Sequence, residues 1–250
     1  MKKIFQTIRN ERSVAGGRRV LLSFRIGEDS IPAVLLLPIA KELGLPLPAA
    51  LLLHGYSSNK EHLADSAGNA LLAHGVASLS IDMPLHGERA TELQSFSRRN
   101  PMEMVKLWRL ALEECTVALR YLSARPEIDA GHLGLIGYSM GAFLGVIAAS
   151  RHEQFKAVVL AAGGDLPLDT PFGSLVRMAA DPIRAVRELN GRPLLMIHGR
   201  HDRTVTPDQA ERLYAAAREP KELRWFPTGH TLRTDAIEFA AKWLGEKIRL

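Results

Sequence analysis

The sequence has almost no cysteine, since Cys115 is the only one among 250 residues. A single cysteine excludes an internal disulfide framework and is typical of proteins in a reducing compartment. Cys115 also falls on the apolar side of a helical pattern, so we expect its thiol to be packed in a core rather than reactive. Small secreted domains held together by disulfides are therefore excluded.

Long apolar runs are also missing, because no stretch approaches the roughly 20 consecutive apolar residues that a membrane-spanning helix needs. The chain begins Met1-Lys2-Lys3, like the basic start of a secretion signal, but residues 4–12 are mostly polar. No apolar signal core follows them. The sequence therefore predicts a cytoplasmic protein without a membrane partner.

Aromatic residues make up only 6% of the chain, and the net charge of +5 is scattered along it. The basic pairs Lys2-Lys3, Arg18-Arg19 and Arg98-Arg99 stand apart, without interleaved aromatic residues that could stack on bases. We interpret these pairs as solvated surface and predict no nucleic-acid partner. No group of histidine, cysteine and glutamate residues has the spacing of zinc ligands, so no metal site is predicted.

The composition that remains is that of a globular protein, with 46% hydrophobic and 24% charged residues. A chain of this length predicts a single domain, residues 1–250, with a substantial core. Residues 49–53 are almost wholly apolar, without polar alternation, which predicts a strand that is buried on both faces, as in a parallel sheet covered by helices. Further short strands are predicted at residues 76–81, 133–136, 157–160, 194–197 and 223–226.

Helical patterns alternate with these strands. Helices are predicted at residues 59–73, 101–123, 142–150 and 207–218. The apolar spacing between Ile237 and Ile248 predicts a last helix that closes the chain. Residues 19–26 and 31–37, separated by a polar turn, predict an antiparallel hairpin. The fold class is therefore α/β: a mostly parallel, twisted sheet with helices on both faces and an N-terminal antiparallel hairpin. Active loops are expected at the carboxyl ends of the parallel strands.

The most informative stretch is Gly137-Tyr138-Ser139-Met140-Gly141, which reads G-x-S-x-G. It lies between a predicted strand and a predicted helix, and this context gives the short motif its weight. The pattern predicts a nucleophile elbow, in which Ser139 occupies a strained turn and two glycines allow strand and helix to crowd together. We therefore expect the Ser139 hydroxyl to project from the edge of the sheet.

A serine hydroxyl needs a base to remove its proton and a third group to orient that base. His230 is the best base, because it lies in a Gly-containing loop between the last strand and the last helix. Asp202 is the best orienting acid, because its loop follows the strand at 194–197. Asp165, after the strand at 157–160, is the competing acid.

An ester or amide carbonyl also needs hydrogen-bond donors for the oxygen that becomes negative during attack. The backbone N–H groups of Tyr56 and Met140 are the predicted oxyanion hole. His54, at the end of a strand, is expected to support that loop by hydrogen bonding. The substrate pocket is predicted to include the side chains of Tyr56, Met140, His86 and Phe172.

From about residue 20 onward, the sequence resembles the α/β-hydrolase superfamily. Five segments carry this resemblance: His54-Gly55-Tyr56, Asp82 to Gly87, the elbow, His198 to Asp202 and Gly229-His230. Within it, the chain looks like the dienelactone-hydrolase-like and prolyl-oligopeptidase-like serine esterases and peptidases. True dienelactone hydrolases have cysteine where this chain has Ser139, so dienelactone substrates are not expected. The resemblance implies acyl transfer to water through an acyl-enzyme on Ser139, with no cofactor and with a small-molecule ester as the partner.

The resemblance also implies a cap inserted after the strand at 157–160, and residues 161–191 are the segment available for it. Such a small cap predicts an open pocket and a carboxylesterase for short- to medium-chain acyl or aryl esters. Alternatives on the same triad are a serine peptidase, an acyl-peptide hydrolase or a thioesterase. A catalytically silent ligand-binding module is a further alternative, and the sequence leaves the oligomeric state open.

Overall fold

The computed structural model describes residues 4–26, 29–39, 46–90, 101–168 and 177–249. Within these ranges, nine strands form one sheet in the order β1-β2-β3-β5-β4-β6-β7-β8-β9. Strands β4 to β9 pair in parallel, and β1, β2, β3 and β5 are joined by antiparallel pairing. The strands are β1 (Phe5–Val14), β2 (Gly17–Ile26), β3 (Asp29–Pro38), β4 (Leu47–Leu53), β5 (Ala77–Ile81), β6 (Ile128–Tyr138), β7 (Phe155–Ala161), β8 (Leu194–Gly199) and β9 (Lys221–Phe226).

The N-terminal hairpin is confirmed as β2 and β3, but the sequence patterns missed β1 in front of it. Nearly every residue of β1 is exposed, so no apolar stripe marks it as a strand. A two-residue turn, Ala15-Gly16, joins β1 to β2, and Gly16 has a positive φ of 78° that favours glycine. Strand β1 and the hairpin therefore form a three-stranded antiparallel extension of the parallel sheet.

Helices cover both faces of the sheet, as predicted. One face carries α3, α4, α5 and α6, and the other carries α1, α2 and α7. Each face buries its own apolar cluster against the strands, and both clusters include strand residues that are fully buried. The helices are α1 (Lys60–Leu63), α2 (Asn69–Ala73), α3 (Pro101–Ser123), α4 (Met140–Arg151), α5 (Pro182–Arg187), α6 (Pro207–Ala216) and α7 (Thr234–Lys247).

The helix predicted at 59–73 begins where expected but is not a single α-helix. The side chain of Asn59 caps it by accepting a hydrogen bond from the His62 N–H at 3.0 Å. Between α1 and α2, residues Ala64–Gly68 form a π-helical segment. The segment packs closely on the sheet, because a Cβ on Gly68 would approach the Leu36 side chain to 2.9 Å.

Other helix and strand limits differ by a few residues. Helix α6 ends at Ala216 rather than 218, and β9 begins at Lys221 rather than 223. The part of the predicted cap that can be described includes α5, whereas residues 169–176, with Phe172 among them, lie outside the described residues.

Candidate active site

Ser139 stands between the end of β6 and the start of α4, in the strained backbone that the motif predicts. Its φ is +52° and its ψ is −113°, a conformation that non-glycine residues rarely adopt. A Cβ on Gly137 would collide with the Gly141 backbone, and one on Gly141 would collide with the Leu53 carbonyl. Both glycines are therefore required by the close approach of helix and strands at this turn.

Ser139, His230 and Asp202 lie in one hydrogen-bonded line. The His230 Nε2 lies 2.9 Å from the Ser139 Oγ, and the His230 Nδ1 lies 2.8 Å from the Asp202 Oδ2. The Asp202 side chain is fully buried, while that of His230 is 27% exposed. With its proton on Nδ1 and bonded to the carboxylate, His230 presents Nε2 as the acceptor for the serine proton.

The Asp202 carboxylate is held by its own loop. Its Oδ1 accepts hydrogen bonds from the N–H groups of Thr204 and Val205 at 2.8 and 3.0 Å. His198 lies against the same carboxylate, with its Nε2 3.5 Å from Oδ2 and 2.9 Å from the Val205 carbonyl. Burial lowers the pKa of His198, so this ring is neutral near pH 7 and donates to Val205.

Asp165, the competing acid, is engaged elsewhere. Its carboxylate accepts two hydrogen bonds from the Arg177 guanidinium, both at 2.9 Å, and lies 3.4 Å from the Arg212 Nε. This cluster joins the segment after β7 to α6 and to the segment before α5. The geometry thus brings Asp202, and not Asp165, to His230.

Tyr138 contributes to the site in a way that the sequence analysis missed. Its hydroxyl donates to the His230 carbonyl at 2.7 Å and accepts from the Leu232 N–H at 2.9 Å. The residue before the nucleophile therefore ties down the loop that carries the base. Its position inside the motif was visible in the sequence, but its partners lie more than 90 residues away, and no local pattern indicates them.

The loop between β4 and α1 is anchored at both ends to the loop that follows β5. At its start, the His54 Nδ1 donates to the Gly55 carbonyl at 2.7 Å, and Nε2 accepts from the Met83 N–H at 3.1 Å. Burial lowers the pKa of His54 to about 4, so the ring is neutral. The predicted supporting role of His54 agrees with these contacts.

At the other end, the fully buried Asp82 carboxylate binds Lys60 twice. Its Oδ1 accepts from the Lys60 backbone N–H, and its Oδ2 accepts from the Lys60 Nζ, both at 2.9 Å. Glu88 accepts from the same Nζ at 2.7 Å and is itself paired with Arg9. Gly87 has φ +56°, and a Cβ there would collide with the carboxylate of Asp82. We call the His54–Met83 and Lys60–Asp82 contacts the loop anchors.

The predicted oxyanion donors belong to neighbouring strand ends. Strand β4 pairs in parallel with β6, with Leu53 opposite Gly137, so Tyr56 and Met140 follow adjacent strands. Met140 begins α4, whose first N–H groups have no acceptor within the helix. Their use as an oxyanion hole stays a prediction.

A cavity of about 540 Å³ opens beside Ser139 and His230. Tyr56 lines it, as predicted, together with residues of α1 and of the segment that leads into α7. His86 and Met140 are not among its described lining residues, so their assignment to the pocket is corrected. The His86 ring is buried under the Tyr56 ring, with centroids 5.5 Å apart, and Met140 packs against the core on the opposite face of the sheet.

A family model described as "Serine hydrolase (FSH1)" matches residues 47–236, which is most of the chain and includes the whole triad. The chain belongs to this serine hydrolase family. The predicted α/β-hydrolase character is thereby confirmed.

The serine hydrolase is similar to polyketide transferase ATR5 of Stachybotrys chlorohalonatus, with 29% identity over 48% of this chain and 37% of that protein. The chain spans less than half the length of several curated relatives it matches. Its fold is similar to that of a cold-adapted esterase from an Arctic intertidal metagenomic library, with 19% identity, a TM-score of 0.74, and 96% and 97% of the two chains covered. Acetyl xylan esterase 1 from Thermoanaerobacterium sp. JW/SL YS485 is also similar, with 17% identity, a TM-score of 0.77, and 98% and 88% covered.

Two features are absent from the described part of the serine hydrolase. Among these residues, no group of three or more histidine, cysteine, aspartate or glutamate side chains is arranged to hold a metal ion. Across the same ranges, no helix has both the length and the apolar character to cross a bilayer.

Proposed function

We propose that this serine hydrolase is a carboxylesterase that cleaves short- to medium-chain acyl or aryl esters through an acyl-enzyme on Ser139. The observation that carries the proposal is the continuous hydrogen-bonded line from Asp202 through His230 to the Ser139 Oγ. That line supplies the base and its orientation, which a serine hydroxyl lacks by itself.

In the first half of the reaction, the Ser139 Oγ attacks the ester carbonyl carbon while its proton passes to the His230 Nε2. The carbonyl oxygen becomes negative, and the N–H groups of Tyr56 and Met140 stabilise it. When the intermediate collapses, the bond to the alcohol oxygen breaks, and His230 returns the proton to that oxygen. The alcohol leaves, and the acyl group stays on Ser139.

In the second half, water attacks the acyl carbon while His230 takes one of its protons. Collapse of the second intermediate breaks the bond to the Ser139 Oγ, and His230 returns the proton to that oxygen. A carboxylic acid is released, and the enzyme regains its initial state. Asp202 stabilises the imidazolium at each half without taking the proton itself.

The cavity supports a small or medium substrate. Its volume of about 540 Å³ lies within the range usual for small-molecule sites. The two structural neighbours are named as an esterase and an acetyl xylan esterase, and these names agree with ester cleavage by this chain. A peptidase or thioesterase would use the same triad, so substrate comparison must separate the three.

The test is hydrolysis of p-nitrophenyl esters of increasing acyl length, an amino-acid p-nitroanilide and an acyl thioester by wild type and Ser139→Ala. We expect ester cleavage, with a loss of about 10⁴- to 10⁶-fold in kcat on substitution. Ser150→Ala is the matched control, because this serine lies at the end of α4, away from the triad, and its hydroxyl donates to the Ile147 carbonyl. The control should retain wild-type turnover.

Three outcomes would contradict the proposal. Unchanged turnover by Ser139→Ala would exclude this serine as the nucleophile. Faster cleavage of the anilide or thioester than of every ester would exclude the esterase assignment. A rate that keeps rising with acyl chains beyond about ten carbons would exclude the short- to medium-chain assignment.

A further inference from the structure

The cavity at Ser139 does not end beside the triad. A second cavity, of about 630 Å³, adjoins it between α2 and α7, and both are lined by Ser66, Leu232 and Ile237. The shared residues make the two cavities one groove, which we call the α2–α7 groove. It lies on the face of the sheet opposite to α5 and the described part of the predicted cap.

The end of the groove near the triad is on the side of the base. Thr231 and Leu232, which directly follow His230, line the first cavity, and Leu232 also lines the second. His230 must return a proton to the departing alcohol oxygen, so the alcohol part of the ester has to lie within reach of its Nε2. An alcohol that extends beyond the ester oxygen therefore enters this groove.

The lining of the groove is apolar at its floor and polar along its walls. Leu232 and Ile237 are 7% and 8% exposed and form the floor where the two cavities meet. In the second cavity the walls carry carboxylates, an amide, an imidazole and a hydroxyl, from Asp65, Glu238, Asn69, His74 and Thr234. Such a mixture suits a ligand with an apolar face and many hydroxyl groups, because each hydroxyl that leaves water then finds a partner.

We propose that the α2–α7 groove binds the alcohol part of an extended, hydroxyl-rich ester, of the size of an acylated disaccharide. This inference rests on the proposed esterase function and specifies its substrate class. The groove contributes to substrate binding, while the triad cleaves the ester bond. Filling the groove therefore impairs cleavage of long polyol esters and spares esters whose alcohol is small.

Asn69→Trp tests the groove. Asn69 is exposed, its side chain donates to the Asp65 carbonyl, and it lines the second cavity but not the one beside Ser139. A bulky side chain there fills the second cavity without entering the pocket at the triad. Lys242→Trp is the matched control, since Lys242 is also exposed on a helix but lines neither cavity.

The substrates share one acyl group: p-nitrophenyl acetate, monoacetylated cellobiose, dodecyl acetate and acetylcholine. For the cellobiose ester, we expect Asn69→Trp to lower kcat/KM about tenfold or more, mainly through KM, as loss of one or two hydrogen bonds would. Its kcat/KM for p-nitrophenyl acetate should stay within about twofold of wild type, since that alcohol does not reach the second cavity. Lys242→Trp should change neither value.

The inference is overturned if Asn69→Trp lowers kcat/KM equally for all four esters, or for none. It is also overturned if wild type prefers dodecyl acetate or acetylcholine to the cellobiose ester. If Asn69→Trp does not fold, Glu238→Trp, which is also exposed and lines only the second cavity, replaces it. Absence of any Ser139-dependent ester cleavage would instead refute the proposed function, so the two failures are distinguishable.

Discussion

At the scale of single residues, Tyr138 shows how the nucleophile motif reaches the base. Its hydroxyl is shared between the carbonyl of His230 and the N–H of Leu232, on either side of Thr231. The tyrosine therefore fixes the backbone that directly follows the attachment point of the His230 ring. Small displacements of a base cost rate, because proton transfer requires hydrogen-bond distance.

We expect Tyr138→Phe to lower kcat about tenfold with little change in KM, because two buried backbone groups lose their shared partner and the base moves. The measurement is kcat and KM for p-nitrophenyl acetate across pH. Tyr121→Phe is the control, since it also removes a bonded hydroxyl, but one that contacts Gln6 and Arg125. Equal kcat values for the two variants would exclude a positioning role for Tyr138.

The residues of the triad could be predicted from sequence because each has a local signature: a glycine-flanked serine, and an acid and a histidine just after apolar strands. The geometry agrees with all three residues. The contacts of Tyr138 and His198 could not be predicted, because both residues bond to backbone groups. The partners of Tyr138 lie in a distant loop, and the partner of His198 is the Val205 carbonyl in a local turn. His86 was misassigned because its burial under Tyr56 depends on the packing of two loops.

At the scale of elements, the loop anchors connect the predicted oxyanion loop to the loop after β5. Lys60 and Asp82 are both almost fully buried, at 2% and 0% exposure. A buried charge that loses its partner is costly, because no water replaces the lost interaction. The pair therefore fixes the end of the Tyr56 loop to the loop that follows β5.

We expect Lys60→Met to lower the free energy of unfolding by about 3 kcal/mol, because it leaves the Asp82 carboxylate buried without its cation. It should also lower kcat, through movement of the loop that carries Tyr56. Urea denaturation and p-nitrophenyl acetate kinetics give the two values, and Lys60→Arg should restore part of both.

Arg18→Met is the matched control for that prediction. Arg18 also pairs with a carboxylate, that of Glu11, but both side chains are more than 40% exposed. Exposed pairs contribute about 1 kcal/mol or less, so this variant should be nearly as stable and as active as wild type. If the two variants are equally stable, the buried pair does not have the role given to it here.

The buried elements of the fold were predictable from sequence, and the exposed ones were not. The core strands were found because helices on both faces make them continuously apolar. Strand β1 was missed because only one of its edges is paired and its side chains face solvent. The π-helical segment in 59–73 was missed because its apolar spacing differs little from that of an α-helix.

At the scale of the whole molecule, buried histidines make stability depend on pH. The pKa of His54 falls from 6.5 to about 4 on folding, and that of His198 is also lowered, in both cases mainly by burial. The unfolded chain therefore binds protons that the folded protein does not bind. Stability is fully present above about pH 6.5 and falls as pH drops toward 4.

For His54 alone, we expect a loss of about 2 kcal/mol in the free energy of unfolding between about pH 7 and pH 5. The measurement is urea denaturation at the two pH values. His54→Asn should be less stable at both, yet lose about 2 kcal/mol less between them, since it has no ring to protonate. His201→Asn, at an exposed loop position, should keep the wild-type dependence of stability on pH. If His54→Asn showed that same dependence, the loss of stability between the two pH values could not be assigned to His54.

The hydrogen-bonded line from Ser139 to Asp202 also spans the part of the sheet from β6 to β9. Ser139 and His230 are 91 residues apart, and they meet only because β7, β8 and β9 are laid beside β6 in turn. During synthesis, the ribosome therefore releases the nucleophile and its elbow long before the acid and the base. Until β9 and the His230 loop have docked, the growing chain carries an ordinary, weakly nucleophilic serine. The triad is thus complete only when the loop after the final parallel strand has docked on the sheet.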